Sequence, residues 1–358
     1  MPYWGMLFLI VQIILYQILK RHPELVERFY SNLWFVDESV FLRDTFGEIP
    51  VSVGDCLYFL LIFFVLKWFY LKRKKWQLEW QHLLLSMVNF CAIFYFIFHL
   101  VWGFNYYRTP LSEKMFLSTD YSEADLIDFT TNLISKTNDI QFQITKNTLQ
   151  KVIVPYSEKQ LLKQGLNGYQ NLSENYPCFD YQNISVKASL FSKPLSYMGF
   201  GGYLNPFTLE AQVNSCMPKY SFLMTVSHEM AHQIGYANES ECNFIGYLAA
   251  TKNNDLYAQY SGYSFALHYC LSVLKLKNMV AFTALKPKIN RGILKNFEES
   301  RLFWKAHESI VETGFKIFYD HFLKINNQKD GVRSYGKFLN LLINYEKEIA
   351  ISTKMLVQ

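Results

Sequence analysis

Three long apolar runs occupy the first part of the chain, over residues 3–19, 53–71 and 83–104. Each approaches the roughly 20 apolar residues with which an α-helix crosses the ~30 Å hydrocarbon layer of a bilayer. No basic segment precedes the first run and no small-residue cleavage site follows it, so it is interpreted as a retained anchor rather than a signal peptide. The pattern predicts a mainly α membrane protein whose residues 1–104 form an anchor of three spans.

Basic residues next to these runs predict how the anchor is oriented. The basic run KRKK opens a short loop, residues 72–82, between the second and third spans. Loops rich in Lys and Arg stay in the cytoplasm, which places residues 20–52 and everything after the third span on the extracytoplasmic side. Two basic residues, Lys20 and Arg21, favour the opposite orientation with fewer charges.

Beyond the third run the pattern changes to the mixed polar and apolar positions of a folded domain. The segment SEADLIDFTTNLISKTNDI has helical periodicity, with Ser122 at the position of an N-cap. Residues 184–190 have a β-like composition, and residues 208–214, TLEAQVN, alternate as an exposed edge strand does. Helical periodicity dominates from Pro218 onward. Residues 105–358 are thus predicted to be one mostly helical domain with a small sheet.

Composition agrees with a membrane anchor joined to a globular part. Hydrophobic residues make up 51% of the chain and aromatic residues 18%, which exceeds the usual composition of a soluble enzyme. The net charge of +5 is modest and no nucleic-acid motif is present, so no nucleic-acid partner is expected. The six cysteines form no CxxC pair. The four outside the apolar runs could form a disulfide in an oxidising compartment or stay free thiols. They are Cys178, Cys216, Cys242 and Cys270.

The segment SFLMTVSHEMAHQI predicts an amphipathic helix that ends at Gly235. His228 and His232 stand four positions apart, so both imidazoles lie on one face of that helix. A zinc ion needs ligand nitrogens at ~2.0–2.1 Å, and this spacing can direct both rings at one point. Glu229 lies one position further round the helix, where its carboxylate can reach a zinc-bound water and act as the general base.

Two histidines are too few to hold a catalytic zinc ion, so a third ligand is expected soon after Gly235. Asn238 stands where the pattern HExxHxxGxxH has its third histidine, but an amide is a poor zinc ligand beside a carboxylate. Glu239 and Glu241 are therefore the main candidates. A helix that starts near Asn238 would place Glu239 in its first turn and Asn243 one turn later on the same face.

The sequence Glu239-Ser240-Glu241-Cys242-Asn243 resembles the third-ligand motif of the gluzincins, the thermolysin-like zinc peptidases. The resemblance implies an α+β zincin-like domain, Zn²⁺ as cofactor, Glu239 as third ligand and Asn243 as a hydrogen-bond partner of the first histidine. The chain departs from the motif by a cysteine at a position that is usually small and by an asparagine in place of the commoner aspartate. The gap between the two helices is also short, which leaves Glu241 as the alternative ligand.

The chain as a whole resembles an uncharacterised family of bacterial membrane proteins. The shared features are three spans, WGFNYYR, NPFTLEAQVN, an HExAHQxG[FY]AxExExNF core, YSGY and DGVRSYGKF. The resemblance covers most of the chain. It implies a multi-pass protein of the bacterial inner (plasma) membrane with a zinc-peptidase-like domain and no defined substrate.

Gluzincins also have an edge strand beside the cleft, with which an extended substrate pairs through main-chain hydrogen bonds. By that resemblance the predicted edge strand binds substrate, with Thr208, Glu210 and Gln212 along it. A donor to the developing oxyanion is expected as well, and Tyr335 and His268 are the candidates. An ordinary sheet strand, and ordinary core or surface positions for the two donors, are the alternatives.

The sequence therefore predicts a membrane-anchored zinc metallopeptidase that hydrolyses a peptide or protein substrate, such as an envelope or membrane protein. Three alternatives remain. The chain could be a membrane sensor or scaffold that binds zinc or a peptide without cleaving it, or a zinc hydrolase of a non-peptide envelope amide. In the third alternative the two histidines only pack locally.

Overall fold

The computed structural model of the protein describes residues 3–326, 328 and 335–357. This part of the chain is mainly helical, with a small sheet of three short strands. The helices are α1 (Trp4–Leu19), α2 (Pro23–Leu25), α3 (Phe35–Gly47), α4 (Val53–Lys72), α5 (Trp76–Val101), α6 (Leu111–Lys114), α7 (Glu123–Thr145), α8 (Glu158–Ser173), α9 (Ser192–Met198), α10 (Lys219–Gln233), α11 (Glu239–Lys252), α12 (Leu256–Lys277), α13 (Met279–Leu285), α14 (Arg291–Ala306), α15 (Ile310–Ile325) and α16 (Tyr335–Val357). The strands are β1 (Val186–Ala188), β2 (Gly202–Leu204) and β3 (Ala211–Val213). A π-helical stretch covers Val26–Trp34, and 3-10 turns lie at Gly103–Tyr107, Pro177–Phe179 and Lys286–Lys288.

Two helices of the described chain, α4 and α5, are each long and apolar enough to cross a membrane. The helix α1 and the Pro23–Gly47 segment meet at a bend of 97°, and they provide a third span only if the pair counts as one broken span. The expectation of an anchor with three spans is thus supported for two helices, and for up to three with the bent pair.

Two boundaries differ from the sequence prediction. Helix α5 begins at Trp76 rather than at residue 83, so the basic loop of residues 72–82 is reduced to a turn at residues 73–75. Hydropathy marks the part of a helix that fits the hydrocarbon layer, whereas good helix formers continue the helix beyond it. Residues 20–52, interpreted as a loop, are largely helical, because a hydropathy plot does not mark a helix that mixes apolar and charged positions.

The core of the structure is built from α10, α11 and α12, with α7, α8 and α16 packed around them. Helix α7 begins where the sequence predicts, since the Ser122 hydroxyl and the Asp125 side chain form a reciprocal N-terminal cap. Residues 261–274 lie within α12 and contribute buried side chains such as Leu267 and Leu274, which confirms that segment as a core helix.

All six cysteines are free thiols, so the disulfide alternative does not hold in this structure.

The strand order is β1-β3-β2, with β1 parallel and β2 antiparallel to β3. The predicted edge strand therefore corresponds to the central strand, and that prediction is wrong. Thr208, Glu210 and Gln212, expected to face a substrate, are fully buried. Polar and apolar alternation normally indicates a solvated strand face, but here Thr208 and Glu210 form hydrogen bonds inside the protein, and Gln212 contacts Glu210 through its amide nitrogen.

Glu210 is the clearest example of such internal pairing. Its carboxylate forms an ion pair with Lys187 of β1 at 2.7 Å and accepts the backbone N–H groups of Val53 and Gly54, at the start of α4. Asp55, also in the first turn of α4, accepts hydrogen bonds from Leu190 N–H and from the hydroxyl of Tyr203 in β2. The first turn of an apolar helix is thus bound to the sheet by two buried carboxylates.

We expect Glu210→Ala to lower the free energy of unfolding by about 3–5 kcal/mol, because it leaves the buried Lys187 ammonium without its counter-charge. The double substitution Glu210→Ala with Lys187→Met should recover part of this loss, since the unpaired charge is removed as well. Chemical denaturation of the detergent-solubilised chain measures both. A double variant no more stable than Glu210→Ala would show that the Lys187 charge is not the cause.

Candidate metal centre

Helix α10 carries the two histidines of the HExxH segment. It buries Leu223, Val226 and Met230 against the core, as expected for the apolar side of the predicted amphipathic helix. The rings of His228 and His232 lie with their centroids 4.9 Å apart on one face. Ligand atoms of His228, Glu229 and His232 all lie within 4.8 Å of one another.

A tight reversal joins α10 to α11. Gly235 has a φ of +84°, a left-handed conformation that glycine adopts without strain. Asn238 then caps α11, because its side-chain oxygen accepts the N–H groups of Ser240 and Glu241. Asn238 is thus a helix cap, and its side-chain oxygen binds backbone N–H groups rather than pointing to the two histidines.

Glu239, the first residue of α11, is brought against both imidazoles. One carboxylate oxygen lies 3.3 Å from His228 Nε2, and the other lies 3.7 Å from His232 Nε2. Ligands that bind one zinc ion tetrahedrally at 2.0–2.1 Å are separated by about 3.3–3.4 Å, which is the edge of that tetrahedron. The 3.3 Å separation matches that edge and the 3.7 Å separation is slightly longer, so two imidazole nitrogens and one carboxylate lie close enough to serve as three ligands of one zinc ion.

The opposite nitrogens of the two rings are held by the protein. His228 Nδ1 lies 2.9 Å from the side-chain oxygen of Asn243, one turn beyond Glu239 on α11. His232 Nδ1 lies 2.8 Å from the carbonyl oxygen of Tyr236. Both partners are acceptors, so Nδ1 of each ring carries a proton, and Nε2 is the atom that would bind a metal.

The charge state of Glu239 follows from its surroundings. Burial acts to raise the pKa of this carboxyl, but the hydrogen bond from His228, the charge of that imidazole and the hydroxyl of Tyr319 outweigh burial and lower the pKa to about 2. Burial lowers the pKa of His232 to about 4, so this ring is neutral. An anionic carboxylate and a neutral imidazole are the forms that bind a metal cation.

Glu229 differs from Glu239 in having a free acceptor. Its side chain is buried, and among the described residues its Oε2 atom has no hydrogen-bond partner. Burial, with a smaller contribution from the charge of Glu239, raises the pKa of Glu229 to about 8 against the opposing effect of His228. Buried polar atoms without partners are rare in folded proteins, so this carboxylate oxygen is available for a proton or for a bound molecule.

Glu241, the alternative third ligand, points elsewhere. Its carboxylate accepts a hydrogen bond from the backbone N–H of Leu111 at 2.8 Å and interacts electrostatically with the positive charges of Arg108 and Lys114. It stands two positions after Glu239 on α11, which turns its side chain to another face of the helix. The structure brings Glu239, and not Glu241, to the two histidines.

The two expected oxyanion donors do not join the cluster in the described structure. His268 is an exposed residue of α12 whose ring packs against Phe297 of α14, with centroids 5.3 Å apart. Tyr335 begins α16, but its side chain lies outside the described residues.

Tyr319 of α15 is a residue of this site that the sequence does not predict. Its hydroxyl donates to Glu239 Oε1 at 2.6 Å, and its ring lies against Phe200. Tyr319 is 80 residues from Glu239 along the chain, and no motif surrounds it, so nothing in the local sequence marks it.

The strand beside Glu229 is β2 rather than β3. A Cβ atom at Gly202 would lie 2.6 Å from Glu229 Oε1 and 2.7 Å from the backbone oxygen of Gln212, so a larger residue here would require the strand or the glutamate to shift. Strand β2 is at the edge of the sheet, and in the described part of the chain it pairs with β3 alone.

The fold and the cluster define a mainly helical protein with two to three apolar helices that could span a membrane and a group of histidines and glutamates on two adjacent helices. The chain belongs to the family described as "Protein of unknown function (DUF3810)", whose family model matches residues 30–343. No curated protein and no solved structure is significantly similar to the chain.

Substitution of Asn238 distinguishes a cap from a ligand. Asn238→Ala should lower the free energy of unfolding by about 1 kcal/mol, because the first turn of α11 loses its acceptor, and Asn238→Ser should restore most of that loss. Thermal unfolding with and without added zinc measures both. A serine variant that is as stable as the wild type without zinc but has lost the stabilisation by zinc would identify Asn238 as a ligand.

Proposed function

We propose that this protein is a membrane-anchored, zinc-dependent metallopeptidase. The observation that carries the proposal is the convergence of His228 Nε2, His232 Nε2 and the Glu239 carboxylate at 3.3 and 3.7 Å, beside the unpaired carboxylate of Glu229. Mixed nitrogen and carboxylate ligands of this number are typical of catalytic zinc sites, whereas calcium and magnesium sites are built from oxygen ligands.

His228, His232 and Glu239 would hold the zinc ion, which when bound supplies Lewis-acid polarisation of a substrate carbonyl and of a water molecule. Asn243 and the Tyr236 carbonyl keep the two rings in the required tautomer.

Glu229 is the residue that moves the proton. Its free Oε2 accepts a proton from the attacking water, and the same carboxyl then donates it to the leaving amine. A general base works best when its pKa is near the working pH, and burial raises the pKa of this carboxyl towards that range.

An extended peptide would bind along the free edge of β2. Main-chain hydrogen bonds to an edge strand recognise a peptide without regard to its sequence, which suits a peptidase. Gly202 keeps this edge next to Glu229, because any side chain there would displace the carboxylate. The strand proposed for substrate binding is thus β2, in place of β3, which the sequence predicts to be the edge strand.

The substrate is inferred to lie close to the bilayer on the extracytoplasmic side. Trp102 directly follows α5, and its ring centroid is 6.2 Å from that of His232. The basic turn of residues 73–75 lies at the other end of the same helix, and basic turns favour the cytoplasm. Envelope or membrane proteins of a bacterial inner membrane are therefore the proposed substrates.

Glu229→Gln should keep one zinc ion per chain and lower peptide hydrolysis by about 10²–10⁴-fold, because the amide preserves shape but accepts no proton. His228→Ala should lose the metal. Glu241→Gln is the matched control and should retain both properties, since Glu241 faces Leu111. Elemental analysis and mass spectrometry of a digested peptide library provide the two measurements.

Each outcome of that experiment selects a function. Hydrolysis by Glu229→Gln at the wild-type rate would refute the proposed mechanism. A wild-type chain that holds zinc but cleaves no peptide would be a sensor or scaffold, unless envelope extracts show hydrolysis of a non-peptide amide. If the wild-type chain binds no zinc, His228 and His232 have only a packing role.

Tyr319→Phe tests whether α15 supports the metal site. Loss of the hydrogen bond to Glu239 should weaken zinc binding by about 10–100-fold, as is usual for residues that orient a ligand. Competition with a chromophoric chelator measures the affinity, and His268→Ala serves as a control outside the cluster. Equal zinc affinity of Tyr319→Phe and wild type would show that the hydrogen bond does not position Glu239 for the metal.

A further inference from the structure

Helix α15 exposes an apolar face. The exposed fractions of its apolar side chains are 92% for Ile310, 52% for Val311, 57% for Ile317, 64% for Phe318 and 70% for Ile325. With 3.6 residues per turn, these side chains share one side of the helix, together with Gly314 and His321. A contiguous exposed apolar surface usually marks a contact with a membrane or with another molecule.

The remaining sides of α15 have different surroundings. Tyr319 and Leu323 face the domain, the first through its hydrogen bond to Glu239 and the second by complete burial. Lys316 and Lys324 are exposed, and each forms an ion pair with an acidic residue one turn earlier. The helix therefore has a buried side, a charged side and an apolar outer side.

The edge of the apolar side meets the end of α5. The ring centroid of Phe322 lies 6.1 Å from that of Phe98 in α5 and 6.1 Å from that of Tyr106, just beyond α5. Phe98 precedes Val101, the last residue of α5, by three positions, or about 4.5 Å of helix rise. Amphipathic helices at a membrane surface lie ~5–10 Å deep in the boundary between headgroups and acyl chains.

We propose that α15 is an interfacial membrane helix whose apolar side lies in the bilayer that α4 and α5 cross. The exposed apolar surface continues from α15 onto α5, where Phe94 is 37% and Ile97 is 40% exposed. A bilayer crossed by α5 would cover both surfaces at once, because Phe322 of α15 lies against Phe98 near the end of α5. The inference concerns lipid contact alone, so it holds whether or not the cluster binds zinc.

Photocrosslinking of the full chain tests the proposal. The photoreactive residue p-benzoylphenylalanine is placed at position 318 on the apolar side, at position 325 as a second probe, and at position 316 on the charged side as the matched control. Each protein is reconstituted in vesicles of phosphatidylethanolamine and phosphatidylglycerol and irradiated. Intact-mass spectrometry then counts lipid adducts. Positions 318 and 325 should give at least about fivefold more lipid adduct than position 316, because only they reach the acyl region.

Two results would overturn the proposal. Equal lipid adduct at positions 316, 318 and 325 would show that the apolar side has no preferred contact with lipid. A crosslinked dimer at position 318 in place of lipid adduct would assign the surface to a second copy of the chain. All three positions are exposed, so the probes leave the packed side of α15 and the Tyr319 hydrogen bond unchanged.

Discussion

The candidate site depends on how closely α11 crosses α10. Gly246 makes this crossing possible, since a Cβ atom at that position would lie 2.9 Å from the backbone nitrogen of His228. The close crossing brings the Asn243 side chain to His228 Nδ1, and the reversal at Gly235 brings Glu239 to the Nε2 atoms of both histidines. Gly246 thus allows the close approach of the two helices, and Gly235 allows the tight turn that joins them.

A second constraint joins the sheet to the apolar helices. The carboxylates of Glu210 and Asp55 are fully buried, and a buried charge is tolerated only where hydrogen bonds and counter-charges replace its hydration. Their partners lie in the first turn of α4, in Lys187 of β1 and in Tyr203 of β2. Strand β2 is therefore positioned from both sides, by α4 through Tyr203 and by α10 through the contact of Gly202 with Glu229.

The parts of the structure that local sequence could predict are those that depend on helical spacing. The four-residue interval of His228 and His232 placed both rings on one face, and an expected helix start near Asn238 placed Glu239 and Asn243 in the positions that the structure assigns. The order of strands, in contrast, depends on contacts between distant segments. Alternation alone did not reveal that Glu210 is neutralised by Lys187 from a strand more than 20 residues earlier. Tyr319 was missed for the same reason, since only the packing of α15 brings it to Glu239.

The surroundings of the cluster also explain why an anchor and a site would occur in one chain. Besides α10 and α11, three parts of the described structure lie beside the cluster and contact an apolar helix: Trp102 continues α5, the Tyr203 side chain of β2 bonds to α4, and Phe322 of α15 packs on Phe98. A flexibly tethered domain would need no such contacts, because a linker alone would keep it near a membrane. Here the ring of His232 lies 6.2 Å from that of the residue that follows α5, so the position of the cluster relative to that helix is fixed by packing. Under the proposed function, a site held rigidly at the end of an apolar helix would be accessible mainly to molecules that share the bilayer or lie directly on it.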